Sequence, residues 1–315
     1  MKKLTQKPYS EPKSIINKTS ACLIGTVACA AALPLAVSNA KADMASRSDA
    51  LVNLELSDHY LTPRGMDVQD HGLVFQPLVL GFFNLYKSDT AFIRDVTLDA
   101  GVWNCFGTGA LPATGPQLNP PTGPFLTSTH WYEIDPIAGF SIDLPSKFTL
   151  SETFSCFDMQ ILNIPFSEHL ETKLAWDDSD YLGKFALNPY FSYWQDIVAS
   201  AVATSGPIAT SDRYYFDAGV SPGYTFKDCG LKLEAPCRVL LPGQGFYGTE
   251  YKDTTVGLFE LGFKASIPLK FMPDGYGHWS FHAGFKYQNF NDPNLVATQH
   301  KSDAQMFYCG LSTFF

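Results

Sequence analysis

From Arg213 to Phe226 the chain alternates without a break. Tyr214, Phe216, Ala218, Val220, Pro222, Tyr224 and Phe226 hold one parity, and Arg213, Tyr215, Asp217, Gly219, Ser221, Gly223 and Thr225 hold the other. A period of two sends successive side chains to opposite faces of a strand, so this segment predicts a strand with one apolar face. The pattern recurs. Phe259, Leu261, Phe263, Ala265 and Ile267 oppose Leu258, Glu260, Gly262, Lys264 and Ser266, and Trp279, Phe281, Ala283, Phe285 and Tyr287 oppose His278, Ser280, His282, Gly284, Lys286 and Gln288. After Asp43 there is no long helical period and no apolar run of about 18 residues, so helical membrane spans are not expected.

A soluble sandwich and a membrane barrel both produce such stripes. These segments run to roughly 10 to 15 residues, longer than soluble strands and sufficient for a tilted strand to cross a bilayer. Their polar faces mix Gly, Ser and Thr with charges of both signs, which suits a lumen. Aromatics such as Trp279, Tyr287, Tyr214 and Phe226 stand at stripe ends, where interfacial girdles lie.

Strands are predicted near 50 to 60, 72 to 86, 91 to 105, 129 to 143, 147 to 161, 168 to 176, 184 to 195, 212 to 226, 231 to 241, 255 to 269, 277 to 289 and 304 to 315. The count is about 12, an even number, and the connections alternate. Short links at 87 to 90, 144 to 147, 177 to 183, 227 to 230 and 270 to 276 read as periplasmic turns. Longer ones at 61 to 71, 106 to 128, 196 to 211, 242 to 254 and 290 to 303 read as outward loops, and only 162 to 167 is short where length is expected. The expected fold is all-β: an antiparallel up-and-down transmembrane barrel with periplasmic termini.

Composition agrees. Of 315 residues, 17% are charged and 14% aromatic, with 24 Gly and 21 Pro, which excludes a disordered chain, a coiled coil and a helical bundle. Residues 1 to 42 read as a secretory signal peptide, with Lys2, Lys3, Lys7, Lys13 and Lys18 ahead of an apolar centre and the small-residue site Ala40-Lys41-Ala42. The barrel then occupies 43 to 315. Removing the signal takes out six Lys and one Glu, turning a net charge of −9 into about −14, which argues against nucleic acid as a partner. Cys105, Cys156, Cys229, Cys237 and Cys309 remain, an odd set without Cys-x-x-Cys spacing.

The chain ends Phe307-Tyr308-Cys309-Gly310-Leu311-Ser312-Thr313-Phe314-Phe315. This resembles the terminal strand of Gram-negative outer-membrane β-barrel proteins, with alternating apolar positions and a final aromatic, although Thr313 stands where a larger residue is usual. The resemblance implies a bacterial outer-membrane location, contact with outer-membrane lipid, and recognition by the barrel-assembly machinery through Phe315.

Parity sends Asp95, Asp99, Glu133, Asp135, Glu171, Asp217, Glu234 and Glu260 inward together with Lys173, Arg213, Lys232, Arg238, Lys264 and Lys286, and with His278 and His282. Such a lining suits a porin-like channel for passive diffusion of small hydrophilic solutes or ions. The alternative is a largely plugged barrel whose long loops bind a partner. The Pro-rich loop from Gly107 to Thr129 is expected either to narrow the mouth or to stand outward. A hydrolase is the less favoured reading: Ser280 lies between His278 and His282, but the His-x-Ser-Asn-Gly signature of outer-membrane phospholipases is missing. No catalytic residue, cofactor or metal site is expected, and homo-oligomer formation is left open.

Overall fold

The computed structural model describes residues 48–108, 130–160, 167–198, 213–248 and 250–315. The expected signal segment and most of the Pro-rich loop lie outside these residues. The strands are β1 (Ser48–Ser57), β2 (Tyr60–Leu61), β3 (Asp67–Gln69), β4 (Val74–Lys87), β5 (Asp95–Gly107), β6 (Trp131–Asp143), β7 (Phe148–Met159) and β8 (Ser167–Trp176). They continue as β9 (Tyr190–Val198), β10 (Tyr214–Val220), β11 (Gly223–Thr225), β12 (Lys232–Glu234), β13 (Cys237–Pro242), β14 (Leu258–Pro268), β15 (His278–Phe290) and β16 (Asp303–Phe314).

All of these except β2 and β3 belong to one antiparallel sheet, in which β1 pairs with both β4 and β16 and β14 pairs with β15. The sheet therefore closes on itself, with only the three-residue β11 paired on one side alone. Two of its staves are interrupted by proline. Pro222 separates β10 from β11 and Pro236 separates β12 from β13, since neither can donate to the ladder. The ladder resumes across both breaks, with Ala235 N donating to Pro222 O at 2.9 Å and Gly262 N to Pro236 O at 2.7 Å. Counted by stave, the barrel has 12 strands.

The two ends of the barrel differ. At one, Ala50 and Phe315 exchange backbone hydrogen bonds at 3.3 and 2.9 Å, so both termini of the barrel share this end with the short turns. Between β8 and β9 the chain makes a one-turn helix, Ser179–Leu182, and a 3-10 turn, Gly183–Phe185. The strand expected from 184 therefore begins only at Tyr190. Asp178 explains the delay: its carboxylate accepts from Leu187 N at 2.9 Å and Asn188 N at 2.9 Å, and Pro189 follows with no donor of its own.

The other end carries the long connections. Between β15 and β16 a helix covers Pro293–Gln299, with Asp292 accepting from Asn294 N at 2.9 Å and His300 closing it at φ 53°. Asp-Pro-Asn is a helix-start sequence, an acceptor side chain followed by a residue that needs no donor.

The largest departure from expectation is the connection after β1. It was expected to point outward; instead β2 and β3 form a small separate sheet, and Tyr60, Leu61, Arg64, Met66, Asp67 and Gln69 are all buried. The core gathers around them. Leu61 packs with Tyr215, Leu240, Leu258, Phe290 and Leu295, and Tyr60 with Val74, Cys105, Tyr132 and Met159. The apolar side chains of this hairpin, Tyr60, Leu61 and Met66, gain more from the barrel interior than from water.

The opposite parity faces out. Phe83, Phe263, Phe281 and Phe307 are 50, 47, 41 and 59% exposed, in company with Leu85, Val79, Leu261 and Leu311. A contiguous apolar belt around a closed sheet has hydrocarbon as its natural surroundings.

Candidate functional site

The interior is organised around the hairpin β2–β3, which is tied to the wall on several sides. Tyr60 donates its hydroxyl hydrogen to Glu133 Oε2 on β6. Arg238 on β13 donates to Pro63 O at 2.6 Å, and Gln288 on β15 donates to Thr62 O at 3.2 Å. Tyr247 donates to Arg64 O at 3.0 Å, and the Arg64 guanidinium lies 4.8 Å over the Phe157 ring of β7. Asp67 N donates to Gln299 Oε1 at 3.0 Å, and the Asp67 carboxylate pairs with Lys301. The hairpin thus crosses the lumen from β6 to β15 near the loop end.

Burial and the neighbouring Glu133 push the Tyr60 hydroxyl well above its ordinary pKa, which keeps it a proton donor. Burial likewise raises the Asp67 carboxyl, and Lys301 offsets only part of that rise.

Beside the hairpin lies a partly open cavity of about 370 Å³. Its walls are chiefly apolar, with Met66, Leu78, Trp103, Ile137 and Trp194 among them, while Glu133, Asp135, Ser167 and Lys286 supply polar atoms.

The residues singled out by parity fall into three groups. Around the hairpin, Arg238 bridges Asp217 at 2.8 Å and Glu260 at 2.9 Å, and Gln288 adds a bond to Glu260 at 2.7 Å. Strand register makes this triad: Arg238 stands opposite Gly219 on one side and Glu260 on the other, with Asp217 two residues from Gly219 on the same face. Glu133, Asp135 and Lys286 belong with this group on the cavity wall, and Arg213 donates to Phe246 O at 3.1 Å.

Along the middle of the wall, Lys173 lies 4.5 Å over the Tyr190 ring, and Glu171 faces Trp194 in register. Asp99 is packed against Gly139, where an added Cβ would stand 3.1 Å from its Oδ1. Lys264 is opposite Gly284, and His282 sits 3.5 Å from Glu55 and 3.3 Å from Ser312 Oγ. At the terminal end, Asp95 accepts from Asn84 at 2.6 Å, Lys232 pairs with Glu234 at 2.7 Å, and His278 is exposed opposite Phe314. The list is therefore not one site: the hairpin divides a dense, bridged set from a looser set along the wall and rim.

Sequence reasoning missed the residues that do the dividing. Arg64 falls in the expected outward loop and Tyr60 at the end of the first expected strand, although the spacing of Tyr60, Leu61 and Met66 already marks a segment with something to bury. His169 was also passed over, yet it shares parity with Glu171 and Lys173 on β8.

No protein-family model and no curated protein matches the chain. Among solved structures, similarity extends to an outer-membrane channel of Pseudomonas putida F1, at 12% identity and a TM-score of 0.44, covering 86% of this chain and 96% of that one. It extends also to the translocator domain of the autotransporter NalP of Neisseria meningitidis, at 12% and 0.38, covering 94% and 96%, and to a FadL homologue of Pseudomonas aeruginosa, at 9% and 0.39, covering 85% and 90%. At such identities and scores neither chemistry nor partner passes from those proteins to this one.

Proposed function

We propose that the chain is an outer-membrane channel that passes small hydrophilic solutes or ions passively, with the inward hairpin setting its aperture. The observation that carries this reading is the continuity of polar groups along one parity, from Asp95 at the terminal rim past Asp99, Glu171 and Lys173 to Lys286 at the cavity, inside a closed barrel with an apolar exterior. Charge on the wall away from the hairpin suits a water-filled passage whose field acts on solutes. The same reading takes residues 1 to 42 as the export signal, the terminal end as periplasmic, and the strand ending in Phe315 as the segment presented to the assembly machinery.

A second reading follows from the hairpin itself. Anchored to β6, β13 and β15 together, it supports a shut lumen whose outer loops serve as a contact surface. Planar-bilayer recording of the purified barrel separates the two. Stepwise conductance, with a reversal potential that shifts toward anions in Asp99→Asn, is the result expected of a channel; a barrel that inserts yet gives no steps selects the second reading.

A further inference from the structure

Ser167, His169 and Asp196 are joined in series. His169 Nδ1 is 2.6 Å from Asp196 Oδ1, and His169 Nε2 is 2.8 Å from Ser167 Oγ. A carboxylate only accepts, so Nδ1 carries the hydrogen, Nε2 is left as the acceptor, and the Ser167 hydroxyl donates to it. Local structure enforces the arrangement. Ser167 and His169 are two apart on β8 and share a face, and Asp196 stands opposite His169 in the β8–β9 register. The Phe157 ring stacks on the imidazole at 4.3 Å between centroids and fixes its plane. The three side chains are almost wholly buried, with Ser167, His169 and Asp196 at 2, 1 and 1% exposure.

We propose that this trio is a hydrolytic centre for carboxylic esters with a short acyl chain, a function that goes beyond conduction and does not depend on it. Order, tautomer and distances match what nucleophilic catalysis needs: a hydroxyl bonded to a base, and the base oriented by a buried carboxylate. Ser167 also stands in the wall of the 370 Å³ cavity, whose apolar lining from Met66, Ile137 and Met159 suits an acyl chain. Arg64 places a cation on the same cavity wall, 3.9 Å from Asp196.

The steps balance without an added reagent. Ser167 Oγ forms a bond to the ester carbonyl carbon as its proton passes to His169 Nε2. The C–O bond to the alcohol breaks, and the departing alkoxide takes that proton. Water then attacks the acyl-serine carbonyl carbon as one of its protons passes to His169 Nε2; the C–Oγ bond breaks, Ser167 Oγ takes that proton back, and the carboxylic acid leaves, giving its remaining proton to solvent.

The other histidine cluster does not qualify. His282 is 3.3 Å from Ser312 Oγ, but that hydroxyl is already committed to Asn53 Oδ1 at 2.6 Å, and Glu55 is 3.5 Å away. No nucleophile is poised there.

The test uses the full barrel refolded in detergent. A fluorophosphonate probe is expected to phosphonylate Ser167, located by peptide mass spectrometry, and the protein is expected to hydrolyse p-nitrophenyl butyrate. Ser167→Ala should abolish labelling, and His169→Ala should slow hydrolysis by at least about 100-fold. Asp196→Asn should lower kcat with KM little changed. Site mapping on the unaltered protein requires no variant to fold. Absence of a Ser167 adduct together with absence of hydrolysis overturns the proposal, as does labelling or turnover that persists in folded Ser167→Ala. Conductance, recorded on the same preparation, reports separately on the channel reading.

Discussion

Arg238 shows how much one interior side chain carries. Its guanidinium holds two carboxylates and a hairpin carbonyl at once while only 11% of the side chain is exposed. Removing one member of a buried ion set leaves the others uncompensated. Arg238→Ala is expected to cost about 3–5 kcal/mol, read from urea unfolding by tryptophan fluorescence. Gly284 illustrates a steric constraint instead: a Cβ there would lie 2.3 Å from the Tyr308 ring and 2.6 Å from Phe263 O. Gly284→Ala should destabilise by about 1–3 kcal/mol in the same assay, because ring and neighbouring backbone cannot both yield. At this scale the sequence was legible where parity alone decides, as for Asp217, Arg238 and Glu260. It was not legible for the Ser167–His169–Asp196 contact, because pairing between β8 and β9 is a register, and alternation within a strand carries no register.

Among the elements, the hairpin β2–β3 is the one whose removal is most informative. Ser57 and Val74 are already paired in the β1–β4 ladder, so a two-residue turn can join them without moving the barrel. Replacing 58–73 by such a turn is expected to leave the unboiled barrel's gel mobility unchanged and to enlarge the conductance step severalfold. Asp67 gives the hairpin a pH dependence. Its neighbours in charge are Lys301, His59 and Asp70, and burial leaves its carboxyl above the usual range. A raised carboxyl binds its proton more tightly in the docked hairpin than in the released one. The associated stabilisation is complete below about pH 3.8, the ordinary value, and is lost as pH rises through the raised one. Acidification should therefore reduce open probability, and Asp67→Asn should flatten that dependence in single-channel recordings. The strand elements were legible because each is a long uninterrupted alternation. The hairpin was hidden because strands of two and three residues leave no period to detect, and the Pro293–Gln299 helix because its seven residues are too few to show a helical stripe.

For the molecule as a whole, the outward belt sets the medium. Phe263, near the middle of β14 and 47% exposed, faces out. Phe263→Arg is expected to cost about 2–4 kcal/mol in lipid vesicles, by urea titration, with a smaller penalty in detergent, where the belt is less deeply enclosed. Glu152 departs from the belt: it pairs with Phe140 and Thr172 on the outward parity, so Glu152→Leu should raise stability in the same titration.

The hairpin crossing the lumen also has a history imposed by the chain. It is made directly after β1, yet its partners Arg238, Gln288, Gln299 and Lys301 lie 175, 226, 232 and 234 residues farther along. Contacts of such long range form late and slowly. Until β16 reaches β1, Tyr60, Leu61 and Met66 have no interior to occupy and remain adhesive surface for other chains. Once the last seam zips, the same residues are locked inside a closed cylinder. The first hairpin synthesised is thus among the last to find its place, and ring closure acts as the latch that makes its docking effectively irreversible.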